Sequence, residues 1–169
     1  MSRTKNEREI ILGIKSRLSN ESGDVLKGIG DDCAVLRQNG SLLQVLTVDT
    51  LVDAVHFDRS WHPAQLLGRK AATVNLSDIA AMGAKPRFAL LSLGVPAVLA
   101  DDWLDDFMAG FLACLDEANV ALIGGDTVQS GEQFTVSVTV GGEVAEDQVL
   151  YRSGAQVGDL IWVSGALGE

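Results

Sequence analysis

Positive charge is scarce in this chain: 13 Lys and Arg stand against 23 Asp and Glu over 169 residues, a formal net charge of −10. That balance argues against a nucleic-acid surface and against an anionic membrane. It does not exclude nucleotides, because bound Mg²⁺ reverses the sign locally. Cysteine is scarce too. Cys33 and Cys114 lie far apart and neither belongs to a CxxC pair, which leaves no disulfide framework and no zinc site to expect. No apolar run approaches the ~20 residues of a membrane span. The stretch from Met1 to Glu7 is polar with no apolar segment behind it, so no signal peptide is expected and a soluble cytoplasmic protein is.

Several phosphotransfer signatures are missing as well. There is no GxxxxGK[ST] loop, and neither the lysine nor the HRD signature of protein kinases. Gly28-Ile29-Gly30-Asp31-Asp32 lacks the third glycine of a dinucleotide fingerprint and precedes a strand pattern instead of a helix. With 47% hydrophobic and 21% charged residues the composition is ordinary for a globular protein. The length suits one domain, or one domain with the start of another.

What the chain does have is aspartate beside short apolar runs: Asp31 and Asp32, then Asp49 in Thr47-Val48-Asp49-Thr50, Asp78 in Asn75-Leu76-Ser77-Asp78, and Asp126 in Gly124-Gly125-Asp126-Thr127. Hard divalent cations such as Mg²⁺ take oxygen ligands, usually one or two carboxylates each with water and substrate phosphates. Carboxylates gathered without matching Lys or Arg indicate such a site, although each Gly-Asp taken singly reads first as a turn. Asp78 shares a helical stripe with core positions, so its carboxylate needs a partner: a metal, or Lys70 or Arg69. Asp49 ends the apolar run Leu43 to Val48, where a cap or turn is the other reading. His56 falls in a segment without strong periodicity, as a solvated group or a phosphate contact. Arg152 is a surface arginine or a phosphate clamp.

The periodicity predicts an amphipathic helix through Ile10, Ile11, Ile14 and Leu18, ending near Asn20. Strands follow at Ala34–Leu36 and Leu42–Val48, joined by a turn at Gln38-Asn39-Gly40. A long helix opens at Pro63 with a stripe of Leu66, Leu67, Ala71, Val74 and Ile79, and ends at Gly83 and Pro86. Next come a strand at Phe88–Val95 and a helix capped by Asp101 or Asp102, with Leu104, Phe107, Met108, Phe111, Leu112 and Leu115 inward. Val120–Ile123 reads as a short buried strand leading into a Gly-Gly-Asp turn. Phe134 to Val140 alternates as a half-exposed antiparallel strand. Trp61, Trp103 and Trp162 read as core or interface. This order implies an α+β fold, a mixed or antiparallel sheet with two long helices packed on one face. Val157 to Gly165 looks like a further strand and glycine turn, the opening of a second domain, giving units 1–150 and 151–169.

Taken together, residues 28–34, Thr47–Val52 with Val55-His56-Phe57, Ala72 through Pro86, Leu122–Thr127 and Arg152–Ala155 resemble thiamine-monophosphate kinase, within the superfamily of aminoimidazole ribonucleotide synthetase. The resemblance implies the N-terminal domain of that superfamily, with ATP and several Mg²⁺ ions serving transfer of the γ-phosphoryl group to thiamine monophosphate in a homodimer. It implies Asp32, Thr47, Val48 (through its carbonyl, since relatives often have Thr there), Asp49, Asp78 and Asp126 as metal ligands, with Asp31 beside them. It implies His56 as the contact to the thiamine phosphate, and Gly125, Asp126 and Arg152 as contacts to ATP. No catalytic nucleophile is implied. Two other readings are a Mg-nucleotide-binding dimerisation module that does not turn over by itself, and a different synthetase of the superfamily.

Overall fold

The structure is a computed structural model that describes residues 5–18, 23–163 and 165. Nine elements follow one another: α1 Glu7–Lys15, β1 Val25–Lys27, β2 Ala34–Arg37, β3 Leu42–Val52, α2 Ala64–Ala81, β4 Lys85–Pro96, α3 Asp101–Glu117, β5 Ala121–Ser130 and β6 Thr135–Ala145. The six strands make one sheet in the order β1-β2-β3-β6-β4-β5. All neighbours are antiparallel except β4 and β5, which run parallel and are joined through α3. The fold is α+β with a mixed sheet, as the sequence indicates.

Strand alternation decides the two faces of the sheet. Val45, Val136, Val138, Val140, Ala89, Leu91 and Leu93 are buried on one face, beneath α2 and α3. The helices cross closely because two glycines let them. A Cβ on Gly68 would meet the Phe107 carbonyl oxygen at 2.0 Å, and one on Gly110 would meet the Gln65 oxygen at 1.9 Å. Phe107, fully buried, stacks with Trp103 and Phe111 and meets Phe134 of the sheet edge-on. On the opposite face no helix packs among the described residues. There Val48 is 62% exposed, and Thr50 and Ser137 share a hydrogen bond of 2.7 Å in the open.

Several expectations change. The first helix stops at Lys15, with Ser16 as its C-cap, and its N-terminus is set by a capping box between Asn6 and Glu9. Ile10, Ile11, Ile14 and Leu18 stay exposed. In α2, Leu66 is exposed and Val74 only partly buried, while Asn75 is buried in the stripe. In α3, Leu112 is exposed and Cys114 takes the inward place. Asp101 and Asp102 fill its first turn, where they complement the helix dipole, and Ala100 is the N-cap without a side-chain bond. The strand at 120–123 is neither short nor buried: β5 runs to Ser130, exposed along almost all its length, because it is the sheet's edge. The strand from Phe134 lies in the sheet's middle, hydrogen-bonded on both sides, so a partner subunit has no free edge to extend there. Of the tryptophans, Trp103 packs on the core, whereas Trp61 and Trp162 are exposed. Residues 157–163 carry no strand. Among the described residues, no helix is long and apolar enough to cross a membrane.

Candidate functional site

β2 pairs with β3 only from Leu43 to Leu46, so β3 runs on towards Val52 with one edge unpaired by any strand. An exposed N–H there needs a partner, and α2 supplies one: the Asn75 carbonyl oxygen accepts from the Asp49 N–H at 3.1 Å. Asn75 is 0% exposed, and its amide nitrogen donates to the Ala71 carbonyl at 3.2 Å, which fixes its orientation. One turn further along α2, Asp78 accepts from the Thr47 hydroxyl at 2.7 Å. Thr47, Asp49, Asn75 and Asp78 therefore meet where β3 leaves β2.

The Gly28–Cys33 loop closes the same corner. The Asp32 carboxylate accepts from the Arg152 guanidinium, at 3.1 Å from Nε and through a second, closer nitrogen. Asp31 accepts from the backbone N–H of Arg152 at 3.2 Å and from that of Asp32 at 3.2 Å, both on Oδ1. The side chain of Asp31 is fully buried, and its other oxygen makes no hydrogen bond; the Lys27 ammonium stands 3.3 Å from it.

Electrostatics tie these pieces together. The hydrogen bond from Arg152 holds the Asp32 carboxyl below its ordinary value. Burial, and then the neighbouring Asp78 charge, push Asp49 above its ordinary value. Burial, with Asp78, Asp32 and Asp31 nearby, pushes the Cys33 thiol up to about 12. A thiol so placed stays protonated at neutral pH and is no nucleophile.

The expected residues thus fall into two groups. Asp31, Asp32, Thr47, Asp49, Asp78 and Arg152 share the corner. Asp126 does not join them. It sits inside β5, not in a turn, opposite Ser92 of β4, which in turn pairs with Ser137. By alternation it lies on the open face, whereas Asp49, paired with the buried Val138, lies on the helix face. Gly125 and Asp126 line a shallow cavity of about 300 Å³ with Leu90, Ser92, Ser137 and Thr139. The backbone needs glycine at 125, since a Cβ would meet the Leu91 carbonyl oxygen at 1.7 Å.

His56 lies beyond the end of β3, in a tight turn where Ala54 adopts φ 61°. Its Nδ1 accepts from the Val52 N–H at 3.0 Å, so the neutral ring carries its proton on Nε2. Lys70 donates to the His56 carbonyl at 2.8 Å. Both residues line a cavity of about 390 Å³ with Phe57, Trp61 and His62. Asp53 anchors the turn through an ion pair of 2.5 Å to Arg59. Lys70 is thus engaged with His56, and Arg69 with Glu117, so neither is the partner of Asp78.

The donors fit Mg²⁺ chemically: they are carboxylate and hydroxyl oxygens, and one of them, Asp31 Oδ2, is buried without a hydrogen bond. Among the described residues no three carboxylates, imidazoles or thiols already stand close enough to cage an ion. Sequence reasoning gave no role to Asn75 or Lys27, and it set Lys70 beside Asp78 where the structure sets it beneath His56. Only Asn75 carried a signal, an amide in the middle of an apolar helical stripe.

Residues 30–144 match the profile of the family described as AIR synthase related protein, N-terminal domain. The chain is 40% identical over 163 residues to the thiamine-monophosphate kinase of Buchnera aphidicola, covering 96% of this chain and 49% of that protein. To the enzyme of the same name from Bacillus subtilis it is 37% identical, with 97% and 50% covered. It superposes on the structure of AaThiL complexed with AMPPCP and TMP with a TM-score of 0.83 at 34% identity, over 94% of this chain and 48% of that one. The chain spans about half the length of the curated relatives it matches.

Proposed function

Because the chain belongs to the AIR synthase related family through its N-terminal domain, we propose that it is the metal- and nucleotide-binding half of an ATP-dependent thiamine-phosphate kinase. The reaction is transfer of the γ-phosphoryl group of ATP to the phosphate of thiamine monophosphate, giving thiamine diphosphate. The observation that carries this reading is the corner where Thr47, Asp49, Asn75 and Asp78 meet the Asp31-Asp32 loop. It offers oxygen donors and no competent nucleophile, which suits direct transfer. Phosphoryl transfer depends on alignment and charge neutralisation more than on covalent chemistry.

In this reading Asp32, Thr47, the Val48 carbonyl, Asp49 and Asp78 hold Mg²⁺. Mg²⁺ there supplies positive charge between two polyanions. Arg152 and Gly125 hold ATP. Asp126 serves from the open face, apart from that corner. His56 presents its Nε2–H to the thiamine phosphate, with Lys70 fixing the carbonyl behind it. Two copies pair through the open face and bury at least the ~1,200 Å² of a specific interface. Residues 1–150 form this domain and 151–169 open the next, in a cytoplasmic protein. A Mg-nucleotide module without turnover is the second reading, favoured by the chain's coverage of only half its relatives.

The test has two arms. Calorimetric titration of residues 1–169 with Mg²⁺ and a non-hydrolysable ATP analogue should show binding. Thiamine diphosphate should form only when the remaining half is supplied. In that complete protein Asp49→Asn or Asp126→Asn should lower the rate by orders of magnitude, and His56→Ala should mainly raise the acceptor's KM. Near-normal activity of both Asn variants at low Mg²⁺ would show that these aspartates hold no metal the reaction needs.

A further inference from the structure

The acidic corner contains two cations of its own. Arg152 places two guanidinium nitrogens on one oxygen of Asp32 and its backbone N–H on Asp31. Lys27 stands 3.3 Å from the buried Asp31 Oδ2, which makes no hydrogen bond, and its ammonium also lies 5.6 Å over the Tyr151 ring. Asp31, Asp32 and Asp78 all act on Arg152, and Asp78 also acts on Asp49. Carboxylates that share one corner repel one another when no cation is near.

We propose that Arg152 and Lys27 are built-in placeholders for divalent cations, and that metal loading is an exchange in which Asp32 releases Arg152 and Arg152 turns to the nucleotide's phosphate. The proposal rests on the reading of this corner as a metal site. Arg152 is the more weakly anchored of the two placeholders. Lys27 ends a three-residue edge strand, and Arg152 sits in an irregular segment with most of its side chain exposed. The Arg152–Asp32 pair, exposed on the arginine's side, contributes little to stability, so it yields readily to a competing ligand. The geometry of the pair also favours release. The guanidinium meets a single carboxylate oxygen instead of making a fork on two, whereas a phosphate offers the fork that arginine binds best. Until exchange, the placeholders keep the 28–33 loop folded against Asp78 despite the crowded charge.

The exchange predicts a change of sign that a merely structural arginine would not give. Mn²⁺ serves as the probe, titrated into the protein by calorimetry and electron paramagnetic resonance. Without nucleotide, Arg152→Gln should bind Mn²⁺ about fivefold more tightly than the wild type, Lys27→Met about twofold more tightly, and Arg152→Lys much as the wild type does. With a non-hydrolysable ATP analogue present, Arg152→Gln should instead bind the Mn-nucleotide about tenfold more weakly. Unchanged or weaker Mn²⁺ binding by Arg152→Gln without nucleotide would overturn the exchange. Tighter Mn²⁺ binding without any loss of nucleotide would also overturn it, because Arg152 would then have no phosphate to turn to. If neither the wild type nor Arg152→Gln nor Lys27→Met binds Mn²⁺, the metal-site reading falls and the exchange falls with it.

Discussion

The two faces of the sheet are made by the same strands and could hardly differ more. The covered face is aliphatic and aromatic, closed over by two helices that touch at Gly68 and Gly110. The open face carries hydroxyls and an aspartate, Thr50, Ser92, Ser137, Thr139 and Asp126, among a few exposed apolar side chains such as Val48 and Leu90. Alternation with a period of two puts these chemistries 180° apart on every strand. The acidic corner lies at the border of the covered face. It forms where β3 runs past Ala34, the first residue of β2, so that polar groups of α2 meet strand edge there instead of apolar side chains. A site built at such a border has a rigid apolar wall on one side and water on the other.

The strongest way to test this contrast is to delete packing. Phe107→Ala on the covered face should cost roughly 3–5 kcal/mol in urea denaturation, while Thr139→Ala on the open face should stay within about 0.5 kcal/mol. Comparable losses would abolish the distinction between the faces. Next in size is the border itself. Asn75→Ala leaves the Asp49 N–H at the strand edge without its acceptor and should cost about 1–3 kcal/mol. It should also speed hydrogen exchange at Asp49, which is the more telling observation.

Smaller effects come from charge, and their signs differ within the corner. Asp49 has its folded value raised by burial and by Asp78. Its neutral form is favoured on folding, so the associated stability is present below the ordinary value of 3.8 and is lost as pH rises through the raised value. Asp49→Asn should therefore stabilise the metal-free protein at neutral pH, the gain vanishing in acid. Asp32 has its value lowered by Arg152, so its contribution is present above 3.8 and is lost as pH falls through the depressed value. Asp32→Asn should do the reverse of Asp49→Asn in thermal melts between pH 3 and 7. Melts of the same sign for both variants would mean that the two carboxylates do not differ in environment.

The least costly change should be at the open face. Leu90→Asp should leave chain stability nearly unaltered, yet dissociate the proposed pair of copies in sedimentation. A variant that stays paired would move the contact elsewhere.

Much of this fold was legible from periodicity. The lengths of α2 and α3 and the strand Phe134–Val140 follow from their apolar repeats, because burial selects the repeat directly. The aspartates were also legible as a group, through their company of glycine and short apolar runs. What escaped has a common cause. β3 and β5 run past the points where their apolar runs stop, since a strand persists as long as a neighbour pairs with it, whatever its own side chains. Asp49 and Asp126 consequently lie within strands and not at their ends. Lys27 carries no local signal, as its partner Asp31 and the ring of Tyr151 meet it only in the folded chain.

The sequence by itself determined the helices, the alternating strands and the clustering of aspartates beside short apolar runs, because each rests on composition or on spacing along one element. Only the tertiary structure decided which aspartates share a corner. Strand order and register assign a face to every residue, and neither is encoded in any single segment. Asp49 and Asp78 meet because β3 outruns β2 beneath α2, while Asp126 is carried to the other face by its pairing opposite Ser92.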